Sequence, residues 1–236
     1  MPRAVRLLAA PLITLLLMLA AGQLVAETED GWVVAAKARE PQDISLWTRV
    51  VPGAELKAFR GATHTDVPLA NAVALLYDVA TMPEWIFRCR EARILGVADN
   101  GDTFVYLKIH GIWPVGDRDA IIRVHPVYNA KTGELVVTGT AAPGYAPEVP
   151  GYVRIPAIES SWRMTPVAGN LLRIEWSGHV DPAGNIPRWL SNSVATLVPR
   201  YTMREVRNLL QAPAWRTAAT RDRGNALLAQ VRSQAH

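Results

Sequence analysis

The chain has 236 residues, 50% of them hydrophobic, which is enough for one domain with a sizeable core. Its formal net charge is +4, near +2 once Arg3 and Arg6 of the N-terminal segment are set aside, and no Lys/Arg cluster forms a patch, so nucleic acid is excluded as a partner class. Cys89 is the single cysteine, which rules out an intramolecular disulfide and CxxC or zinc spacings; it reads as a buried, inert thiol.

Met1 to Arg6 is short and basic, Leu7 to Gly22 is apolar, and small residues precede the acidic stretch Glu27 to Asp30. This is the layout of a signal peptide at residues 1–26, with cleavage after Ala26 or Gly22 and export, in a bacterium to the periplasm. The alternative is an uncleaved N-terminal membrane anchor, for which the apolar stretch is short. The remainder divides into a domain at residues 27–212 and a tail at residues 213–236 with room for a short helix.

Gly31 to Arg39 is expected to be a short helix ended by Pro41. Ile44–Val51 and Glu55–His64 read as strands around the turn at Pro52-Gly53. Asp66 is placed to cap a helix with Pro68 in its first turn, carrying Leu69, Val73, Leu76 and Tyr77 at helical spacing to about Asp78. Six strands follow: Ala92–Ala98, Thr103–His110, Ala120–Val127, Glu134–Thr140, Tyr152–Pro166 and Leu171–Val180, with Asn100-Gly101 as a hairpin signal. The proline-rich stretch Ala141 to Pro150 is a loop.

Alternation assigns an apolar face to these strands. Leu172, Ile174, Trp176 and Val180 share it on the last strand, with Ile158, Trp162 and Met164 on the one before. Val105, Leu107 and Ile109, with Ile122 and Val124, share it on two earlier strands. A long helix then begins near Pro187, with Asn185 as a candidate cap. Ile186, Leu190, Ser193, Leu197 and Tyr201 form its stripe, widened by Trp189, Val194 and Val198, and Pro199 is expected to kink or split it before Pro213 ends it. A sheet with one apolar face must bury it, and a curved antiparallel sheet closed by a long helix can do so around a hollow. The fold class is therefore α+β.

Specific segments now carry a family resemblance. Trp113-Pro114-Val115-Gly116-Asp117-Arg118-Asp119 resembles the PWPV-x-DRD segment of START (StAR-related lipid-transfer) domains, and Tyr152-Val153-Arg154 the later YVR. Asp181 to Asn192 resembles the D-x-x-G-x-IP-x-x-L-x-N lead-in to that family's C-terminal helix, and Trp85 to Leu95 its W-x-x-x-C-x-x-A segment. The resemblance covers about Trp47 to Leu210 and implies the helix-grip fold, a hydrophobic cavity for one lipid, and a lid made by the C-terminal helix and nearby loops. In the steroidogenic branch an acid and an arginine pair inside the cavity; the corresponding places here fall at Val105 and Val124, both apolar, which leaves the ligand class open.

The expected ligand-binding residues are Val105, Leu107, Ile109, Val124, Arg154, Trp162, Ile174, Trp176, Trp189, Ser193 and Leu197. Two readings stand for Arg154: an inward contact to a headgroup, or a strand-end arginine tied to a carboxylate or loop carbonyls. Arg118 and Asp119 are expected to fix a loop beneath the sheet, and Trp85 and Trp113 lie beside loops where an aromatic can enter a membrane interface. Pro199 and the Ala141–Pro150 loop are candidate gates. The motifs H-E-x-x-H and G-x-S-x-G are absent and the histidines lack ligand spacing, so no catalytic residue, metal or cofactor is expected. The expectation is a monomer that carries a lipid without chemistry and touches membranes transiently. Its rivals are a cyclase- or aromatase-like enzyme using the same cavity and a sensor with a filled one.

Overall fold

The computed structural model describes residues 30–40 and 42–234. The proposed signal peptide lies outside the described residues. Ten strands form one sheet: β1 Val33–Ala36, β2 Ser45–Arg49, β3 Ala58–Thr65, β4 Cys89–Val97, β5 Thr103–Ile109, β6 Arg118–Asn129, β7 Glu134–Ala141, β8 Val153–Arg154, β9 Ala157–Val167 and β10 Leu171–Asp181. Their order is β1-β2-β3-β10-β9-β7-β6-β5-β4, antiparallel throughout this path, with β8 added parallel to β6. Among the described residues four α-helices accompany the sheet: α1 Leu69–Leu76, α2 Met82–Trp85, α3 Arg188–Gln211 and α4 Ala218–Ser233. This is the helix-grip arrangement that the motifs imply, with α3 gripped by the curved sheet.

The register aligns the inward residues into rows. Gly61, Trp176, Trp162 and Val137 lie side by side on β3, β10, β9 and β7. The indoles of Trp162 and Trp176 stack with centroids 5.0 Å apart and planes 9° apart, and Trp85 meets Trp162 edge-on at 5.8 Å. Phe59 closes the row against Trp176 at 4.5 Å. This aromatic bar divides the inner face. On one side Leu135, Met164, Leu172 and Ile174 pack under α1, α4 and the C-terminal half of α3, where Met203, Val206 and Leu210 are fully buried. On the other side the next row is Gly178, Ser160 and Gly139, so three central strands present almost no side chain there.

Several local expectations are corrected. Gly31–Arg39 holds the strand β1 rather than a helix, because the β-branched pair Val33-Val34 finds a partner in β2 while Arg49 and Arg60 lie over the Trp32 ring. Asp66 does not cap α1; it accepts two hydrogen bonds from Arg216, at 2.8 and 3.0 Å, and Pro68 stands at the cap with no side-chain bond. Asn185 does not cap α3 either, Pro187 being the residue before its first turn. The expected strand Tyr152–Pro166 is two strands, β8 and β9, that pair with different neighbours. Pro199 does not split α3, which runs unbroken from Arg188 to Gln211. The tail forms α4, whose Gly224 packs so closely on α1 that an added Cβ would stand 1.8 Å from the Ala70 carbonyl oxygen. Among the described residues no helix is long and apolar enough to cross a membrane.

Candidate functional site

A cavity of about 370 Å3 occupies the side of the aromatic bar that the glycine and serine row leaves empty. Its floor is Val105, Leu107 and Ile109 of β5, Ile122 and Val124 of β6, Gly139 and Ser160. Trp162 and Trp176 form one end wall, and Leu190, Val194, Ala195 and Val198 of α3 form the roof. The segment around α2 supplies Val79, Met82, Trp85, Ile86 and Phe87 as a side wall. The opposite end is closed by the loop at residues 110–117 and by Arg118, Pro182 and Ile186.

Six of the expected ligand-binding residues, Val105, Leu107, Ile109, Val124, Trp162 and Trp176, line this cavity. The other five lie elsewhere. Ile174 is buried two residues beyond the aromatic bar, in the solid core. Trp189 and Leu197 are 58% and 43% exposed, and the exposed Ser193 hydroxyl donates to the Trp189 carbonyl at 2.9 Å. Of the stripe expected on the long helix, Leu190 lines the cavity, together with Val194 and Val198, which were expected to widen it, and Ile186 just ahead of the first turn; Ser193 and Leu197 do not.

Arg154 faces away from the cavity. Its Nε and Nη2 donate to the two oxygens of Asp119 at 2.9 and 2.8 Å, and its remaining bonds go to the carbonyls of Pro143, Ala146 and Pro147. The split between β8 and β9 breaks the parity that linked Arg154 to Ile158. Arg154 therefore clamps the proline-rich loop onto the outer face of the sheet, where Tyr145 stacks on Phe104 at 3.8 Å. That loop is no gate to the cavity. Trp85 is likewise buried, which removes it from any membrane surface, whereas Trp113 is 87% exposed at the tip of the 110–117 loop.

This loop is tightly built. Asp117 accepts from the Gly111 N–H at 2.9 Å and lies 2.7 Å from His110 Nδ1; the Gly111 bond is the largest influence holding its carboxyl below the usual range. A Cβ on Gly111 would stand 2.1 Å from the Val115 carbonyl oxygen, so the turn admits only glycine. Arg88, in the left-handed region at φ 58°, donates from Nε to the His110 carbonyl at 2.9 Å and from Nη2 to that of Gly111. Arg118 donates to the carbonyls of Gly116, Pro182 and Ala183, tying the loop to the lead-in of α3. Burial pushes the Cys89 thiol up to about 11, as an inert thiol requires, and the Tyr77 hydroxyl in the wall up to about 12.

Residues 16–216 match the START domain family model, and the chain belongs to the START domain family. It is 30% identical over 171 residues to an uncharacterized protein of Pseudomonas aeruginosa, covering 72% of this chain and 84% of that one. Among solved structures, a STAR-related lipid transfer protein from Xanthomonas axonopodis superposes with a TM-score of 0.69 at 28% identity, covering 78% of this chain and all of the other. Human STARD10 has the same TM-score at 18% identity, covering 87% and 83% of the two chains, which extends the likeness of fold.

Proposed function

We propose that this protein binds one lipid molecule in the cavity beneath α3 and carries it between membranes without covalent chemistry. The observation that carries this reading is the empty, apolar volume beside Gly139 and Ser160 in a chain of the START family. Its 370 Å3 lies within the usual range of small-molecule pockets and is large enough for an acyl chain or a compact ring system. Each buried methylene contributes about 0.8 kcal/mol, so the tail supplies most of the affinity. The exposed Trp113 and Trp189 flank the loop end of the cavity and suit transient contact with a membrane interface. The basic and apolar segment at residues 1–26 supports export to the periplasm, where such a carrier would work.

Native mass spectrometry of the protein purified from its own host, followed by lipid extraction, tests this reading. A stoichiometric lipid of one class is the expected result. A protein that stays empty after incubation with mixed-lipid vesicles would refute it. A second reading, acid–base chemistry on a bound substrate, draws on His110 in the cavity wall, whose Nδ1 lies 2.7 Å from Asp117. Recovery of a bound molecule that the protein converts, with conversion lost in His110→Ala, would favour that reading.

A further inference from the structure

Of the charged residues in the cavity lining, Lys57, Arg88, Arg118 and Glu159, the two arginines stand together at one end. Arg118 leads the inward face of β6, which continues through Ala120 and Ile122 to Val124. From Arg118 to Val124 the strand advances about 20 Å at 3.4 Å per residue, the scale of an extended acyl chain. Arg88 stands at the same end as Arg118, because both bind the backbone of one loop: Arg88 the carbonyl of Gly111, Arg118 that of Gly116. A Cβ on Gly111 would lie 2.2 Å from the Gly116 carbonyl oxygen, so these two anchor points touch.

Both arginines line the cavity, and Arg118 is buried. Three of the five N–H groups of Arg118 and two of those of Arg88 are taken by carbonyls, and among the described residues neither guanidinium has a carboxylate within ion-pairing distance. The nearby acid, Asp117, is engaged by His110 and the Gly111 N–H. Burial disfavours the charge of Arg118 by more than the nearby Asp117 favours it, and a planar guanidinium fits carboxylate or phosphate oxygens. Holding Arg88 in the left-handed region is unfavourable for a side chain of this size, and the fold sustains it where the side chain meets this loop.

We infer that the cavity selects a lipid with an anionic head, a carboxylate or a phosphate, whose oxygens dock at Arg118 and Arg88 while its tail runs along β6 toward Trp162 and Trp176. This rests on the lipid-binding reading and adds the class of head. Titration calorimetry of the full chain with dodecanoate, dodecyl phosphate and dodecanol, each below its aggregation concentration, separates head from tail. At least one anion should bind about tenfold or more tightly than the alcohol, an advantage that shrinks as salt is raised; which anion leads identifies the source of the charge. Arg88→Gln and Arg118→Gln should each lose more affinity for the anions than for the alcohol. Arg118 also ties two loops, so Arg88→Gln keeps the test open if Arg118→Gln does not fold. Dodecanol binding as tightly as both anions would overturn the inference and leave the lipid-binding reading standing. Binding of none of the three would overturn both.

Discussion

Single residues decide whether the space inside this sheet exists. Gly139, Ser160 and Gly178 withhold side chains from the row beside the aromatic bar, and Val124 sits next to that row on β6. Val124→Phe should place a ring in the hollow and lower lipid affinity by about tenfold or more, near 1.4 kcal/mol. Its melting temperature should stay close to that of the parent, which distinguishes a plugged cavity from a damaged fold. A residue of a different kind governs acid stability. Asp102 is wholly buried; burial raises its pKa, but hydrogen bonds from His125, Asn100 and Arg123 outweigh burial and leave it below the usual carboxylate value of 3.8. A folded pKa below the unfolded one means that its stabilisation is present above about pH 4 and is lost as pH falls through the folded value. Asp102→Asn should cost on the order of 1–3 kcal/mol at neutral pH, by leaving the Arg123 guanidinium unmatched, and should flatten the decline of unfolding free energy below pH 4. Denaturant titrations at several pH values would show both effects.

At the scale of elements, α3 has two halves with unlike surroundings although its backbone is one helix. Its C-terminal half is locked by Met203, Val206 and Leu210, while its N-terminal half roofs an empty space and carries no side-chain cap. Pro199 stands between them and, lacking an N–H, removes one intrahelical bond. Pro199→Ala should stabilise the helix by up to about 3 kcal/mol and slow lipid release several-fold in a stopped-flow exchange assay. Faster or unchanged release would remove Pro199 as a hinge. Elements were legible in the sequence where one periodicity acted alone, as for Leu171–Val180 and the α3 segment. They were not legible where partners far along the chain decided. Gly31–Arg39 became a strand because β2 was there to pair with it, and Tyr152–Pro166 broke in two because Asp119, over thirty residues earlier, holds Arg154. The cavity residues of β5, β6 and the tryptophan pair followed from alternation. The roof followed in part: Leu190, Val194 and Val198 belong to the expected helix face, but that face was drawn too wide, and Trp189, Ser193 and Leu197 fell on its wet side.

For the whole molecule, the two most exposed tryptophans among the described residues stand at the loop end of the cavity. Trp113 and Trp189 flank it, on a loop made stiff by Arg88 and Asp117 and on the first turn of the uncapped helix half. Replacing both with Ala should reduce binding to lipid vesicles and the rate of transfer between them by about tenfold, while a preloaded lipid stays bound in solution. Equal loss of both would mean that these side chains serve the cavity rather than docking. Loading could also be followed without any label. The indoles of Trp162 and Trp176, 5.0 Å apart and nearly parallel, are close enough for their electronic transitions to mix, and they form the wall that an arriving tail would press on. The empty protein should therefore carry an excitonic circular dichroism band from this pair that changes sign or amplitude on filling, so the molecule contains its own optical gauge of occupancy.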